Sequence, residues 1–320
     1  MTQRLVVSLG GNAFARSGEP LSIAGQFSFA ERTLAPLAAL LDSDTQLLLT
    51  HGNGPQVGVI LTRVEEALGK AYRLPLEVCV AESEGEMGYL LQQTLYNIGR
   101  GHRPVATVLT QVVVDAKDPA FDAPSKPIGP WFDAEQTATL TAAGVSLVYD
   151  EAGRGRRVVA SPQPLRVVEA QVIARMLDLG IVAIAAGGGG IPVIEADDDR
   201  GRAGHRELRG IEAVVDKDFA TALLAVELGA DRLVLVTGVE GVFRDFGTAR
   251  AQLLPRVHPD ELEALAAQGQ FPPGSMGPKV SAAVRYVRAS GRPAIICQPS
   301  ELAAALAGAA GTVVEGTRDV

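Results

Sequence analysis

Glycines gather where β-rich runs end, and that pattern restricts the possible folds more than any other feature of the chain. They stand at Gly10-Gly11-Asn12, at Gly52-Asn53-Gly54, through Gly187 to Gly190, and at Gly238 with Gly241. The runs before them are Arg4 to Leu9, Gln46 to Thr50, Ile181 to Ala185 and Arg232 to Val236. Residues 105–114 and 293–297 also read as strands. Amphipathic stretches at 28–42, 55–69, 77–99, 166–179, 217–229, 259–268, 276–290 and 299–308 read as helices. This alternation predicts an α/β fold, a mostly parallel sheet with helices on both faces.

In an open sheet of this kind, ligands sit beyond the carboxyl ends of the strands. Glycine there lets backbone N–H groups close on an anion, and the following helix N-terminus adds a favourable dipole. Tight turns would explain one such cluster. Four at successive strand ends, one of them four glycines long, point to a phosphate-sized ligand. The common nucleotide fingerprints are absent: there is no Gly-x-x-x-x-Gly-Lys-Ser/Thr loop and no Gly-x-Gly-x-x-Gly turn after the first strand.

Of the 29 basic residues only five are lysines, namely Lys70, Lys117, Lys126, Lys217 and Lys279. Arginine is the default cation, so a lysine inside a motif marks a place for a compact ammonium rather than a planar fork. Asp216-Lys217-Asp218 opens a helix after Ala213-Val-Val. Aspartates at a helix start are accounted for by capping, but a lysine there opposes the dipole unless an anion shares the helix end. Lys279 opens another helix, after Met276-Gly-Pro, and Lys126 sits in the proline-rich loop Pro124-Ser-Lys-Pro-Ile-Gly-Pro130. Ammonium groups of this kind suit a phosphoryl group in transit.

The net charge of −8 advertises no nucleic-acid-binding field. Cys79 and Cys297 lie in apolar stretches and read as buried reduced thiols, and the scattered His51, His102, His205 and His258 offer no metal site. No uninterrupted apolar run reaches the ~18–20 residues that span a bilayer, and 5–9 is too short for a signal peptide. A cytoplasmic protein is expected. Residues 115–165, rich in proline and carrying Arg154, Arg156 and Arg157, are too long for a connection and read as an excursion with its own structure, or a lid. Residues 195–208 read as an exposed loop.

Taken in order, Leu9-Gly-Gly-Asn-Ala13, His51-Gly-Asn-Gly-Pro-Gln-Val-Gly58, Thr110-Gln-Val-Val-Val-Asp115 and Ser125-Lys-Pro-Ile-Gly-Pro130 form a series. It continues through Ala152-Gly-Arg-Gly-Arg-Arg157, Ala186-Gly-Gly-Gly-Gly-Ile-Pro192, Val215-Asp-Lys-Asp-Phe-Ala220, Thr237-Gly-Val239 and Pro273-Gly-Ser-Met-Gly-Pro-Lys279. This series resembles the carbamate kinases of the amino-acid kinase superfamily over nearly the whole chain. The resemblance implies a single three-layer αβα domain, residues 1–320, with a mainly parallel eight-stranded sheet and a small protruding subdomain at about 115–165. It implies an acceptor lobe at 1–208, a nucleotide lobe at 209–320, and a homodimer. The implied reaction is ATP + carbamate ⇌ ADP + carbamoyl phosphate, with Mg²⁺ on the nucleotide and no dedicated protein metal site. In arginine catabolism it runs toward ATP.

Carried over, the resemblance gives Gly10, Gly11, Asn12, Gly52 and Asn53 to the transferred group. Lys217 bridges phosphates, Lys279 binds the γ-phosphoryl, Asp218 orients both lysines, and Lys126 reaches in from the protruding subdomain. Thr237, Gly238, Val239 and Met276, with the two lysines, approach the nucleotide. One departure is Glu82-Ser-Glu-Gly-Glu86, where relatives carry an uncharged polar residue at the position of Glu84. Carboxylates near an anion site repel unless they point away. Two alternatives follow: a kinase on this fold for a different carboxylate, or a non-catalytic nucleotide-binding protein.

Overall fold

The structure, a computed structural model, describes residues 2–10, 22–197, 206–272 and 274–316. Eight strands form its central sheet: β1 (Arg4–Leu9), β2 (Gln46–His51), β3 (Val105–Thr107), β4 (Val182–Ile184), β5 (Arg232–Val236), β6 (Arg256–Val257), β7 (Ala294–Cys297) and β8 (Thr312–Val314). Their order is β6-β8-β7-β5-β1-β2-β4-β3, parallel except where β7 meets β8. The helices are α1 (Ile23–Leu34), α2 (Gly54–Glu66), α3 (Leu76–Ile98), α4 (Ala134–Ala142), α5 (Ala170–Asp178), α6 (Lys217–Glu227), α7 (Pro259–Ala267) and α8 (Met276–Ser290), of which α4 belongs to the 115–165 excursion and not to the layers on the central sheet.

The period-2 alternation of the strands divides the core into two layers. Leu5, Val7, Leu9, Leu47, Leu49, Val182, Ile184, Val234, Val236 and Ile295 pack on α1, α3 and the short 302–306 helix. Val6, Leu48, Ala183, Leu233, Leu235 and Ile296 face the other way, onto α5, α6, α7 and α8. The expected three-layer αβα sandwich follows directly.

Several elements depart from the sequence reading. The 28–42 helix begins earlier, at Ile23, where the Ser22 hydroxyl accepts from Gly25 N at 3.1 Å. It is interrupted at Ala35–Leu37, where Pro36 cannot donate and a 3₁₀ turn intervenes before Ala38–Leu41. Residues 164–167 are strand, so α5 starts only at Ala170. Ala213-Val-Val215, which looks β-like, joins no strand, and Val214 N donates to Ala160 O at 2.9 Å. The presumed 195–208 loop is strand at both described ends: Ile191–Asp197 pairs antiparallel with Arg206–Gly210. Its alternation is masked because Glu195, Arg206, Glu207 and Arg209 are charged ribbon residues. Residues 198–205 lie outside the described residues.

The most informative departure concerns 105–114. It divides between two sheets. Val105–Thr107 pairs with β4, while Gln111–Val114 pairs in parallel with 191–193 in a second, four-stranded sheet. Two neighbouring chain segments therefore leave the central sheet side by side, one at 108–110 and the other through the glycines at 187–190.

The excursion at 115–165 has its own structure. It includes a three-stranded sheet of Lys126–Pro127, Gly155–Val159 and Leu147–Tyr149, with α4 against it. It docks on α2. A Cβ on Gly58 would fall 1.9 Å from Gly129 Cα, Gly129 N donates to Gly54 O at 3.2 Å, and Ile128 packs among Val57, Ile60 and Leu61. Arg157 pairs with Glu65 beside this contact.

Candidate active site

Strands β5, β1, β2 and β4 are consecutive and parallel in the sheet, so the glycine-bearing segments after them emerge side by side. Gly10 follows β1 so closely beside β5 that a Cβ there would sit 3.2 Å from Val236 O. Gly52 N donates to Leu9 O at 3.2 Å, extending β1–β2 pairing to the rim. Thr237 N donates to Cys297 O at 2.9 Å, and Thr237, Gly238 and Val239 open from the end of β5. Gly11 and Asn12 lie outside the described residues.

Above this rim, Lys217 and Lys279 converge on one carboxylate. Lys217 Nζ lies 2.5 Å from Asp218 Oδ1, and Lys279 Nζ lies 3.2 Å from Asp218 Oδ2. Lys217 also donates to Ser8 Oγ at 3.2 Å. Local structure places each group. The Asp216 side chain caps α6 by accepting from Asp218 N at 2.9 Å, and Lys217 and Asp218 follow in the first turn. Lys279 occupies the first turn of α8. The α6 backbone is tied to β2, because Thr221 Oγ1 donates to Lys217 O at 2.6 Å and also meets Thr50 Oγ1 at 2.7 Å.

Lys126 completes the cluster from the protruding subdomain by pairing with Asp216 Oδ2. Asp216 therefore caps a helix with one oxygen and receives an ammonium with the other. Three ammonium groups meet two carboxylates, which leaves a net positive site in an acidic chain. Burial alone would raise the Asp218 carboxyl, but Lys217 and Lys279 outweigh it and hold its pKa at about 2. Burial, opposed by Asp218 and assisted by Lys279, lowers the Lys217 ammonium below its ordinary value. Such a site gains energy when an anion enters.

The glycine turn forms the wall opposite α6. Ala186 takes a left-handed conformation at φ 49°, followed by Gly188, Gly189 and Gly190 at 65°, 101° and 84°. Added Cβ atoms would come within 2.4 Å of His51 Nε2 at Gly187, 2.0 Å of the Asn53 amide at Gly188, 2.2 Å of Val215 O at Gly189 and 2.4 Å of Val112 Cγ2 at Gly190. All four glycines are thus required by contact, and Gly188, Gly189 and Gly190 by dihedral angle as well. Asn53 itself is buried, with Nδ2 donating to Ser83 Oγ at 2.7 Å. His51 is sealed below, and burial, aided by the Lys217 charge against the Gly52 carbonyl, lowers its pKa to about 4.

Of the residues singled out in the sequence, Lys126, Lys217, Asp218 and Lys279 share one cluster, and Gly10, Gly52 and Asn53 stand at its rim. Met276 is half-buried in the same first turn of α8 as Lys279. Glu84 does not project a charge into the cluster. It is 1% exposed, and its Oε2 accepts from Thr110 N at 2.9 Å. Glu82 faces solvent, and Glu86 Oε1 accepts from Gln26 at 3.4 Å. Sequence reasoning missed Ser8 and Thr50. The only signal was a hydroxyl interrupting each apolar strand.

A family model described as the amino acid kinase family matches residues 3–298. The chain belongs to the amino acid kinase family. Within it, the chain is 44% identical to the carbamate kinase-like protein YahI of Escherichia coli (strain K12), over 98% of each chain. It is 41% identical to the carbamate kinase of Thermococcus kodakarensis, covering 98% of this chain and 99% of that one. Among solved structures, carbamate kinase from Giardia lamblia bound to AMP-PNP superposes with a TM-score of 0.88 at 35% identity, covering 98% and 99% of the two chains. The Giardia lamblia enzyme thus shares this chain's αβα sandwich.

Proposed function

We propose that this chain catalyses reversible phosphoryl transfer between ATP and carbamate, giving ADP and carbamoyl phosphate. One observation carries the reading: Lys217 and Lys279, 62 positions apart, place their ammonium groups on the two oxygens of Asp218 at a glycine-lined rim. Full-length likeness to carbamate kinases, one of them bound to AMP-PNP, supports it.

Carbamate is already an anionic oxygen nucleophile and needs no general base. The barrier lies in bringing anions together and in the charge spread over the PO₃ unit in flight. In this reading the N-terminal lobe, 1–208, holds the acceptor through Gly10, Gly11, Asn12, Gly52 and Asn53. The C-terminal lobe, 209–320, holds the nucleotide through Thr237, Gly238, Val239 and Met276. Lys217 bridges the phosphates, Lys279 meets the γ-phosphoryl, and Asp218 keeps the two ammoniums apart and aimed. Lys126 exchanges part of its Asp216 contact for substrate oxygens. Mg²⁺ enters as part of the nucleotide substrate, since the Asp216 and Asp218 carboxylates are already committed to ammoniums.

We place the protein in the cytoplasm, because the buried thiols Cys79 and Cys297 suit a reducing compartment, and the resemblance to carbamate kinases is the ground for proposing a role in arginine catabolism. A homodimer is supported by the open edge at β3 and by Tyr89 and Tyr96, exposed on the adjacent α3. Light scattering of Tyr89→Lys/Tyr96→Lys against the wild type tests this, and an unchanged mass would reject that face.

A second reading, a kinase for another carboxylate, is favoured by the 44% identity to a protein named only carbamate kinase-like. The deciding experiment is ATP formation from MgADP with carbamoyl phosphate and, separately, with acetyl phosphate. Turnover should require the carbamoyl donor, and preference for acetyl phosphate would overturn the carbamate assignment.

A further inference from the structure

We infer that Glu84 is a positioning residue for phosphoryl transfer: through Thr110 it holds the 187–190 glycine turn against Asn53 and the segment leading into Lys217. The assignment rests on the kinase reading above and deepens it by naming a part of the site that touches no substrate.

Thr110 carries both ends of the turn. Its Oγ1 accepts from Ala186 N at 2.9 Å, and its carbonyl accepts from Ile191 N at 2.8 Å. The same hydroxyl donates to Val108 O at 2.8 Å, which fixes its direction. The Thr110 amide then donates to Glu84 Oε2 at 2.9 Å. Both Thr110 and Glu84 are sealed from solvent. Within the turn Gly189 N donates to Ala186 O and Gly190 N to Gly187 O, both at 3.1 Å, and the three bonds through Thr110 tie this left-handed turn to its surroundings.

The turn's position matters because its neighbours are parts of the site. Gly188 packs on the Asn53 amide and Gly189 on Val215 O, one residue before Asp216. Asn53 is pinned in turn by Ser83, the residue next to Glu84 on α3. Adjacent positions on one helix therefore hold two walls of the site, Ser83 the β2 loop and Glu84 the glycine turn. A shift of the turn by even one ångström would move Asn53 and the start of α6 together, which is enough to cost about 100-fold in rate.

The surroundings of Glu84 favour its neutral acid form. Burial raises its pKa well above the usual carboxylate range, against the pull of the Thr110 amide and with the help of the Glu169 charge. Glu169 is fixed nearby by Gln111, whose N and Nε2 donate to it at 2.7 and 3.0 Å. His51, across Gly187, is held neutral, so no counter-charge comes from β2. Among the described residues no donor reaches the buried Glu84 Oε1, which an anion would tolerate poorly. A neutral carboxyl accepting one amide can be replaced by a carboxamide of the same shape. Alanine leaves the Thr110 N–H buried and unpaired.

The test compares wild type, Glu84→Gln, Glu84→Ala and Thr110→Val. Thr110→Val keeps the volume and removes only the hydroxyl. The readouts are kcat and KM for carbamoyl phosphate, the Kd for MgADP by calorimetry, and hydrogen exchange of the 186–191 segment. Glu84→Gln should keep kcat within about threefold and preserve amide protection. Glu84→Ala and Thr110→Val should lower kcat at least ~30-fold with the MgADP Kd within about threefold, and should expose the 186 and 191 amides to exchange. If Glu84→Ala does not fold, Thr110→Val carries the test alone. Wild-type kcat and protection in Glu84→Ala or Thr110→Val would overturn the proposal, as would a folded Glu84→Gln with loss equal to alanine. Wild type unable to form ATP from carbamoyl phosphate and MgADP would overturn the kinase reading instead, and the exchange comparison would still decide whether Glu84 holds the turn.

Discussion

Asp218 shows at residue scale how a small group organises a charged site. It is buried between two ammoniums, each of which would otherwise repel the other in low dielectric. Lys217→Ala or Lys279→Ala should lower kcat by about 10²–10³-fold, on the order of 3–4 kcal/mol of transition-state stabilisation. Steady-state assays in both directions read this, and near-normal turnover in a folded variant would remove that lysine from the reaction. Titration adds a second expectation. His51 has a folded pKa of about 4 against 6.5 when free, so the unfolded chain binds its proton first. Stability is intact above pH 6.5 and falls as pH drops from there toward 4, by about 3 kcal/mol at most. Asp218 is shifted in the same direction, to about 2 from 3.8, and its contribution, present above 3.8, fades only as pH falls toward 2. Urea midpoints measured from pH 8 to pH 4 should therefore fall more in the wild type than in His51→Asn, both proteins sharing the opposing contribution of the raised Glu84 carboxyl. An equal slope in both proteins would show that another group titrates. Lys217 and Lys279 stood out from lysine scarcity and motif context, whereas Asp218 was singled out only through the resemblance. Ser8 and Thr50 were not, because a hydroxyl in a strand gains meaning only from what crosses above it.

The glycine turn is the element whose form decides the site. Four consecutive glycines signal a backbone without room for side chains, but the sequence does not say what fills the room. The structure supplies His51, Asn53, Val215 and Val112. Gly188→Ala would require both φ +65° and a methyl 2.0 Å from the Asn53 amide, and should destabilise the protein by more than about 3 kcal/mol or displace Asn53 with loss of turnover. Gly180→Ala is the control: its φ is +76° but nothing lies within 4 Å of the added carbon, so it should cost only about 1–2 kcal/mol and spare kcat. Denaturant titration of both variants checks the difference, and equal costs would mean that dihedral strain alone matters at Gly188. The same region explains why 105–114 looks like one strand. Val105 to Val114 is β-prone throughout, and the change of sheet at 108–110 arises because the partner strand turns away at 187–190. Local propensity has no means to register a partner's departure.

For the molecule as a whole, the protruding subdomain and the sheet meet at Lys126, which pairs with Asp216 ninety positions away. The close Gly58–Gly129 packing and the Arg157–Glu65 pair hold the base of that subdomain against α2, so Lys126 sits at the end of a fixed arm. Lys126→Ala should reduce kcat ~10–100-fold while sparing MgADP affinity, and should speed proteolytic cutting within 115–165. Unchanged cutting together with unchanged kcat would assign the lysine to the surface. The sequence by itself determined the class of fold, because alternating strand and helix periods with glycines at strand ends leave few arrangements other than a parallel αβα sandwich. It also determined the chemistry available, through lysines standing in motifs where arginine is the usual cation. Tertiary structure alone decided which loops lie side by side, which carboxylate each ammonium meets, and that Glu84 turns inward to an amide rather than outward to an anion. Those outcomes depend on sheet order and on packing between residues tens to hundreds of positions apart, whereas sequence patterning reports only the conformations open to each segment.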